Sequence, residues 1–484
     1  MGFPRESSNL SGVVFNYHSQ LLWPNNITEK RHVESFYSFF KLHFESLRCR
    51  KDMLNLSTPF SSFTLFNTQP PPPLYFNHFQ SRTMRGCTTL KLNVSSNSND
   101  YSIPHDSIVV GCGGISVDFL AAVSAYPNPD DKIRTTNLKI QGGGNVGNAL
   151  TSLARLGLKP RIISKVANDS QGRDILHELH TDGVDTSFIV VSKEGTSPFT
   201  YIIVDNQTKT RTCIHTPGYP PMTPDDLSES SLLSALHGAR IVYFDGRLYE
   251  TALVVAHEAV RKNIPILIDA ERPREGLDDL LKLADYVVCS AKFPQASTLF
   301  SLKCYGEEMY NIIVVMCNNA WTEASTIPQA LVAMLLRLPN IKFVIVTLGK
   351  DGCIMIERSV DASPSTEIDI DRIVESLETR KKETVSNPTC ISSSVENLKA
   401  KGIGTVSGRL YIGTAESIPP SELIDTTGAG DAFIGAVLYA ICANFSPETM
   451  LCFSATVAAA KCRELGARSG LPYRTNPLLA SFMQ

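Results

Sequence analysis

No Cys-x-x-C pair occurs among the twelve cysteines of this 484-residue chain. That removes the zinc-ribbon and dithiol redox readings and fits reduced thiols in a disulfide-poor compartment. A surplus of one charge is also missing: 45 Lys and Arg face 48 Asp and Glu, a net charge of −3, without the basic excess typical of a nucleic-acid binder. No stretch reaches the roughly 18 uninterrupted apolar residues that a bilayer-crossing helix needs; the best candidate, 432–445, is too short. Neither nucleic acid nor membrane is therefore expected as a partner. Internal repeats are absent. What is present is 43% hydrophobic and 19% charged, the balance of a globular chain with material for a large core. Cys442, Cys452 and Cys462 recur at ten-residue spacing in apolar helical sequence and read as buried small side chains.

The first hundred residues show little alternation and are rich in Ser, Asn, Phe and Pro, with a proline run at 70–73 and a polar linker at 93–100. They read as a disordered leader ending near Tyr101, and their Ser-rich character suits an organelle transit peptide, plastid or mitochondrial. Glu29, Glu34, Glu45 and Asp52 depart from the acid-poor pattern, which keeps a cytoplasmic location as the alternative. From residue 107 the texture changes. Nearly all-apolar strands are predicted at 108–113, 161–166, 240–244, 264–269, 286–289 and 343–348, as strands covered on both faces must be. Helical spacing runs through 146–156, 172–182, 250–262, 322–338, 431–443 and 447–464. The alternation implies an α/β fold with a mainly parallel, doubly wound sheet. Segments 198–204 and 209–215 flank a turn and read as an antiparallel hairpin of a small β lid. Residues 357–407, crowded with Ser, Thr, Glu and Lys, are expected to be a flexible insertion.

The most informative run is Asp425-Thr426-Thr427-Gly428-Ala429-Gly430-Asp431, followed at once by an apolar helical segment. Two glycines separated by one small residue let successive N–H groups converge, and the helix behind them turns its positive end to the same point. Gly428, Ala429 and Gly430 are thus an anion-hole candidate. Asp431, in the first helical turn, is placed to take a proton from an alcohol.

Joined to two further motifs, this run resembles the PfkB, or ribokinase-like, family of carbohydrate and nucleoside kinases. The motifs are Gly143-Gly144-Asn145-Val146-Gly147-Asn148-Ala149, extended by 165–173 and 183–186, and Thr347-Leu348-Gly349-Lys350-Asp351-Gly352. The resemblance covers about 108–473 and implies one kinase domain over 101–476, with a short tail at 477–484. It implies a three-layer αβα sandwich with a β-sheet lid built from parts of about 114–142 and 198–218. It further implies ATP as phosphoryl donor, Mg2+ as metal and a sugar or nucleoside hydroxyl as acceptor. By the same resemblance Asp118 and Ser116 contact the substrate, Gly143 and Gly144 let backbone approach the sugar, and Asn148 addresses its hydroxyls. Thr347, Gly349 and Gly352 would bind nucleotide, and 458–470 would close over the adenine. Asp425 and Thr427 could hold a monovalent cation such as K+, with an Asx-type turn as the other reading of Asp425. A homodimer formed through the lid is open to such folds.

One departure stands out. Many relatives carry N-x-x-E after the strand matching 286–288, where the glutamate organises magnesium through water. Here the segment reads Cys289-Ser290-Ala291-Lys292-Phe293-Pro294. The sequence therefore leaves a rival: a catalytically lapsed PfkB-like scaffold in an organelle complex. Retention of Asp431 and of the Gly428-Ala429-Gly430 run favours chemistry.

Overall fold

The computed structural model describes residues 107–294, 321–359, 366–380 and 387–483; the leader, its organelle reading and the boundary near Tyr101 lie outside them. The strands are β1 (Ile108–Cys112), β2 (Ser116–Val123), β3 (Asn137–Gly143), β4 (Lys159–Ala167), β5 (Ile189–Ser192), β6 (Phe199–Asp205), β7 (Arg211–Thr216) and β8 (Ala239–Phe244). They continue as β9 (Ile266–Ala270), β10 (Tyr286–Ser290), β11 (Phe343–Thr347), β12 (Cys353–Arg358), β13 (Glu367–Asp369), β14 (Cys390–Ala400) and β15 (Gly404–Gly413). Eleven form one sheet in the order β13-β14-β15-β12-β11-β10-β9-β8-β1-β4-β5. From β11 to β5 every neighbouring pair is parallel. Each of the six apolar runs read from the sequence is a strand of this stretch, within two residues of its expected bounds.

Because successive side chains of a strand face opposite ways, the sheet feeds two cores. Val109, Ile241 and Leu267 pack with the helices Asn145–Arg155, Ser170–Thr181, Ala429–Cys442 and Pro447–Lys461. Val110, Val242 and Ile268 pack with Tyr249–Arg261 and Ile327–Arg337 on the other face. Helices on both faces of a parallel sheet are what apolar strands demand. Ala429–Cys442 is apolar nearly all round because it is buried nearly all round. It crosses Asn145–Arg155 so closely that a Cβ at Gly435 would lie 2.7 Å from Ala149 O. The helix expected at 322–338 starts later, at Ile327, where the Thr326 side chain caps Gln329 N–H and Pro328 occupies the first turn.

The lid is a four-stranded sheet in the order β3-β2-β6-β7, and the hairpin read at 198–215 forms β6 and β7. The expected flexible insertion at 357–407 needs correction. Where it is described, it holds β13, the helix Ile370–Glu378 and the eleven-residue β14. β14 pairs antiparallel with β15 over most of its length. Its Ser-rich stretch hides the pattern, because only Leu398 and Ala400 of that strand are fully buried and the backbone ladder, which composition does not report, holds the rest.

Candidate active site

Parallel strands bring their carboxyl ends to one edge of the sheet, and the candidate residues collect there. β1 runs through Gly113 and Gly114 into β2 of the lid, while Asp245 follows β8 and Asp269 lies in β9. Gly114 N–H donates to Asp245 Oδ2 at 2.8 Å, and a Cβ at Gly113 would overlap that carboxylate.

Asp118, on β2, is 4% exposed. Ser116 Oγ donates to its Oδ1 at 3.0 Å; the Ser116 hydroxyl therefore holds Asp118 in place. Burial lifts the Asp118 carboxyl to about 6, against the hydrogen bonds of Ser116 and Thr200 and the charge of Arg468. Thr200 Oγ1 in turn stands 3.1 Å from His215 Nδ1. Gly143 packs its α-carbon against the Asp118 carboxylate, leaving no room for a side chain. Gly144, at φ 85, caps the helix Asn145–Arg155 and abuts the Gly114 carbonyl.

Asp431 sits in the first turn of Ala429–Cys442. Asn148 Nδ2 donates to its Oδ2 at 2.8 Å, and Asn148 Oδ1 accepts from Arg468 Nε at 3.0 Å. Arg468, 1% exposed, also donates from Nη2 to Gly143 O at 2.9 Å and pairs through Nη1 with Glu178 Oε1 at 3.3 Å. Arg468 thus links the Gly143 carbonyl, beside Asp118, through Asn148 to Asp431. Burial raises the Asp431 carboxyl to about 7, with the Asn148 hydrogen bond opposing it.

The loop before Asp431 is tightly held. Gly428 takes φ 74, against Ala467, while Gly430 is exposed and no atom lies within 4 Å of the position a Cβ would take. Ala429 N–H closes a turn on Thr426 O at 3.2 Å. Asp425 is 1% exposed: its Oδ1 accepts from Thr427 N at 2.9 Å and Thr427 Oγ1 at 2.7 Å, and its Oδ2 from Gly466 N at 2.8 Å. The buried Lys461 ammonium donates to Asp425 O at 2.7 Å. From the lid, Arg211 Nη1 reaches Thr426 Oγ1 at 3.1 Å.

Thr347 ends β11 on the same sheet edge, with its Oγ1 donating to Cys289 O at 3.3 Å. Gly349 and Gly352 take φ 64 and 94 in the turn that follows, and Gly352 lies against Gly413 O. Lys292 is exposed at the end of β10. Near Asp431, Arg247 donates to Asn145 Oδ1 at 3.1 Å and stands 3.4 Å from Asp245 Oδ2. Burial, reinforced by Glu271 and Asp431, pushes the Asp269 carboxyl well above the usual range. Among the described residues no three His, Cys, Asp or Glu side chains are grouped to hold a metal ion.

The family model for pfkB carbohydrate kinases matches residues 109–374 and 407–474. The chain belongs to the PfkB family. Its members are carbohydrate kinases, phosphotransferases that act on hydroxyl groups, and this chain is one of them. The chain is 24% identical to mouse (Mus musculus) ribokinase over 377 residues, covering 77% of this chain and 94% of that protein. It is 21% identical to mouse ketohexokinase over 360 residues, with 72% and 95% covered. The fold matches ribokinase from Cryptococcus neoformans var. grubii serotype A, solved in complex with ADP, at a TM-score of 0.52 and 14% identity, over 78% of this chain and 99% of that one. The family match breaks at 375–406, across the end of the helix Ile370–Glu378 and β14.

Sequence reasoning brought Asp118, Ser116, Gly143, Gly144, Asn148 and Asp431 to one place, and missed Arg468, Arg211, Arg247 and Lys461. Segment 458–470, expected to close over the adenine, places Gly466 on Asp425 and Ser469 Oγ 2.9 Å from Gln141 on β3, so this part of it faces the lid and the Asp425–Asp431 loop. Lys461 carried a weak signal: the first charge after the apolar run Val457-Ala458-Ala459-Ala460. Arg211 and Arg468 carried none, since only folding brings β7 and the C-terminal loop to this edge.

Proposed function

We propose that the protein transfers the γ-phosphoryl group of ATP to a hydroxyl of a free sugar, with Asp431 as general base. The observation that supports this reading is the hydrogen-bonded chain from the Gly143 carbonyl through Arg468 and Asn148 to Asp431, with the Asp118 carboxylate packed against Gly143. Phosphoryl transfer asks a protein mainly for alignment and charge neutralisation. A sugar whose ring hydroxyls bond Asp118 under Gly143 would present its reacting hydroxyl to Asp431. As the new O–P bond forms, Asp431 takes the hydroxyl proton, the bond from the γ-phosphorus to its bridging oxygen breaks, and ADP leaves. The Gly428 and Gly430 N–H groups and the helix end would face the charge on the transferred group. Arg211, held over Thr426, adds a positive charge from the lid side. Magnesium, carried on the nucleotide phosphates, would neutralise charge there. Thr347, Gly349 and Gly352 are taken as the nucleotide side of the edge.

The relatives' names favour ribose or a ketohexose as first acceptors, with nucleosides second. ADP release by the full chain against a panel of sugars and nucleosides tests the reading: one acceptor should stand out, and silence across the panel would favour a non-catalytic scaffold. A homodimer through the lid belongs to the same proposal. Ile140, Phe119, Tyr201 and Ile214 form one row across β3, β2, β6 and β7, and Ile140, Tyr201 and Ile214 are each more than half exposed, an apolar row that a second lid would cover. Organelle import is likewise proposed on the leader; fusing residues 1–100 to a fluorescent protein, with diffuse cytoplasmic signal as the adverse result, tests it.

A further inference from the structure

The buried ammonium of Lys461 lies directly behind the anion loop, where relatives of this fold can hold a monovalent cation. The residues here do not suit such an ion. Both lone pairs of Asp425 Oδ1 are taken by the Thr427 N–H and hydroxyl, Oδ2 accepts from Gly466 N–H, and the Asp425 carbonyl accepts the Lys461 ammonium at 2.7 Å. A cation entering beside Asp425 would find most of the carboxylate acceptor sites engaged and would meet a positive charge in a low-dielectric site. Lys461 itself is 0% exposed, although the helix it ends is otherwise apolar at that point. Burial of an ammonium is costly unless it is paired, so its retention needs a use.

We propose that Lys461 is a built-in replacement for the monovalent cation, fixing the anion loop from behind with a tethered ammonium. The geometry supports a positioning role. Lys461 grips Asp425 O, the neighbouring Cys462 O accepts from both Ile424 N and Asp425 N at 3.0 and 3.2 Å, and Gly466 N closes on the Asp425 carboxylate. One short segment, 461–466, thereby clamps the residues that lead into Gly428. A fixed charge there needs no ion to be recruited and no coordination shell to be ordered, and it would favour the negative phosphoryl group on the far side of the loop. The inference rests on the kinase reading above for its effect on turnover, but its binding arm does not.

The test is a titration of the full-length protein with KCl, holding ionic strength constant with choline chloride, and reading ADP affinity, melting temperature and turnover. The wild type should change less than about twofold in affinity and turnover, with no potassium-specific shift in melting temperature. Lys461→Ala should lose about tenfold or more in turnover and regain part of it, together with ADP affinity, in K+ or NH4+ but not in choline. Lys461→Met, similar in length but uncharged, should be impaired and not rescued, since its side chain fills the space. A saturable, several-fold response of the wild type to K+ would overturn the proposal. So would a folded Lys461→Ala that no cation rescues. If Lys461→Ala does not fold, the wild-type titration still decides. Absence of ADP binding and of phosphoryl transfer under every condition would instead defeat the kinase reading, a result distinct from potassium dependence.

Discussion

One amide joins Asp431 to Arg468: Asn148 donates to Asp431 Oδ2 at 2.8 Å while accepting from Arg468 Nε at 3.0 Å. The two bonds fix which end of the amide faces which partner, because a guanidinium can only donate and a carboxylate only accepts. The orientation of Asn148 is thus dictated from both sides.

Asp431→Asn should lower kcat by about 10²- to 10⁴-fold while leaving ADP affinity within a small factor, measured by steady-state rates and calorimetry. Because burial raises the Asp431 carboxyl to about 7, wild-type kcat/KM should rise with pH through about 7 and level off above it. The stability effect has a definite sign. The folded state binds the extra proton between the ordinary carboxylate range near 3.8 and about 7, so this group lowers stability as pH rises through that window. Asn at this position avoids the loss. The variant should therefore melt higher than wild type at pH 8, with the gap closing toward pH 4.

Asn148→Ala removes the donor that opposes the rise of the Asp431 carboxyl. The acid limb of the pH–rate profile should move to higher pH, and kcat at neutral pH should fall by about tenfold or more. A folded variant with an unshifted profile would separate Asn148 from the base.

Arg468→Met strips charge from a site where Asp118, Glu178 and Asn148 converge. Breaking one side of a buried ionic cluster commonly costs about 3–5 kcal/mol; partial exposure of Glu178 puts the expectation at the lower end. Calorimetric unfolding reads the loss. KM for the sugar should rise more than KM for ATP, since Arg468 supports Gly143 and Asp118 and the Thr347–Gly352 turn belongs to a different part of the edge.

Tyr201→Asp places a charge in the middle of the exposed lid row. Sedimentation should show a dimeric wild type and a monomeric variant with an unchanged melting profile for the remaining fold. A monomeric wild type would remove the dimer from the proposal.

The sheet was legible because its strands are buried on both faces, and continuous Val and Ile runs such as Phe343–Thr347 have few alternatives. The need for glycine was legible at Gly143 and Gly144, where the sequence reading expected a sugar to approach and the structure shows that a side chain would overlap Asp118 or the Gly114 carbonyl. Arginines escaped the reading for the opposite reason. Arg468 and Arg211 act through reach, and a long flexible side chain leaves no local pattern that says where its end will settle. β14 escaped because Ser392, Ser393 and Ser394 belong to a strand secured by main-chain bonding to β15, with only two fully buried side chains.

That added strand also changes how the sheet ends. With β14 laid over β15, the outermost strand on that side becomes β13, only three residues long, whose Glu367 is tied to Lys399 at 2.6 Å and to the Thr405 hydroxyl at 2.9 Å. A short, charge-bearing rim offers an incoming chain little ladder to extend. β14, which lies outside the family match, joins β15 to this self-terminating border, and excision of 375–406 would bare the long flank of β15 to association with other molecules.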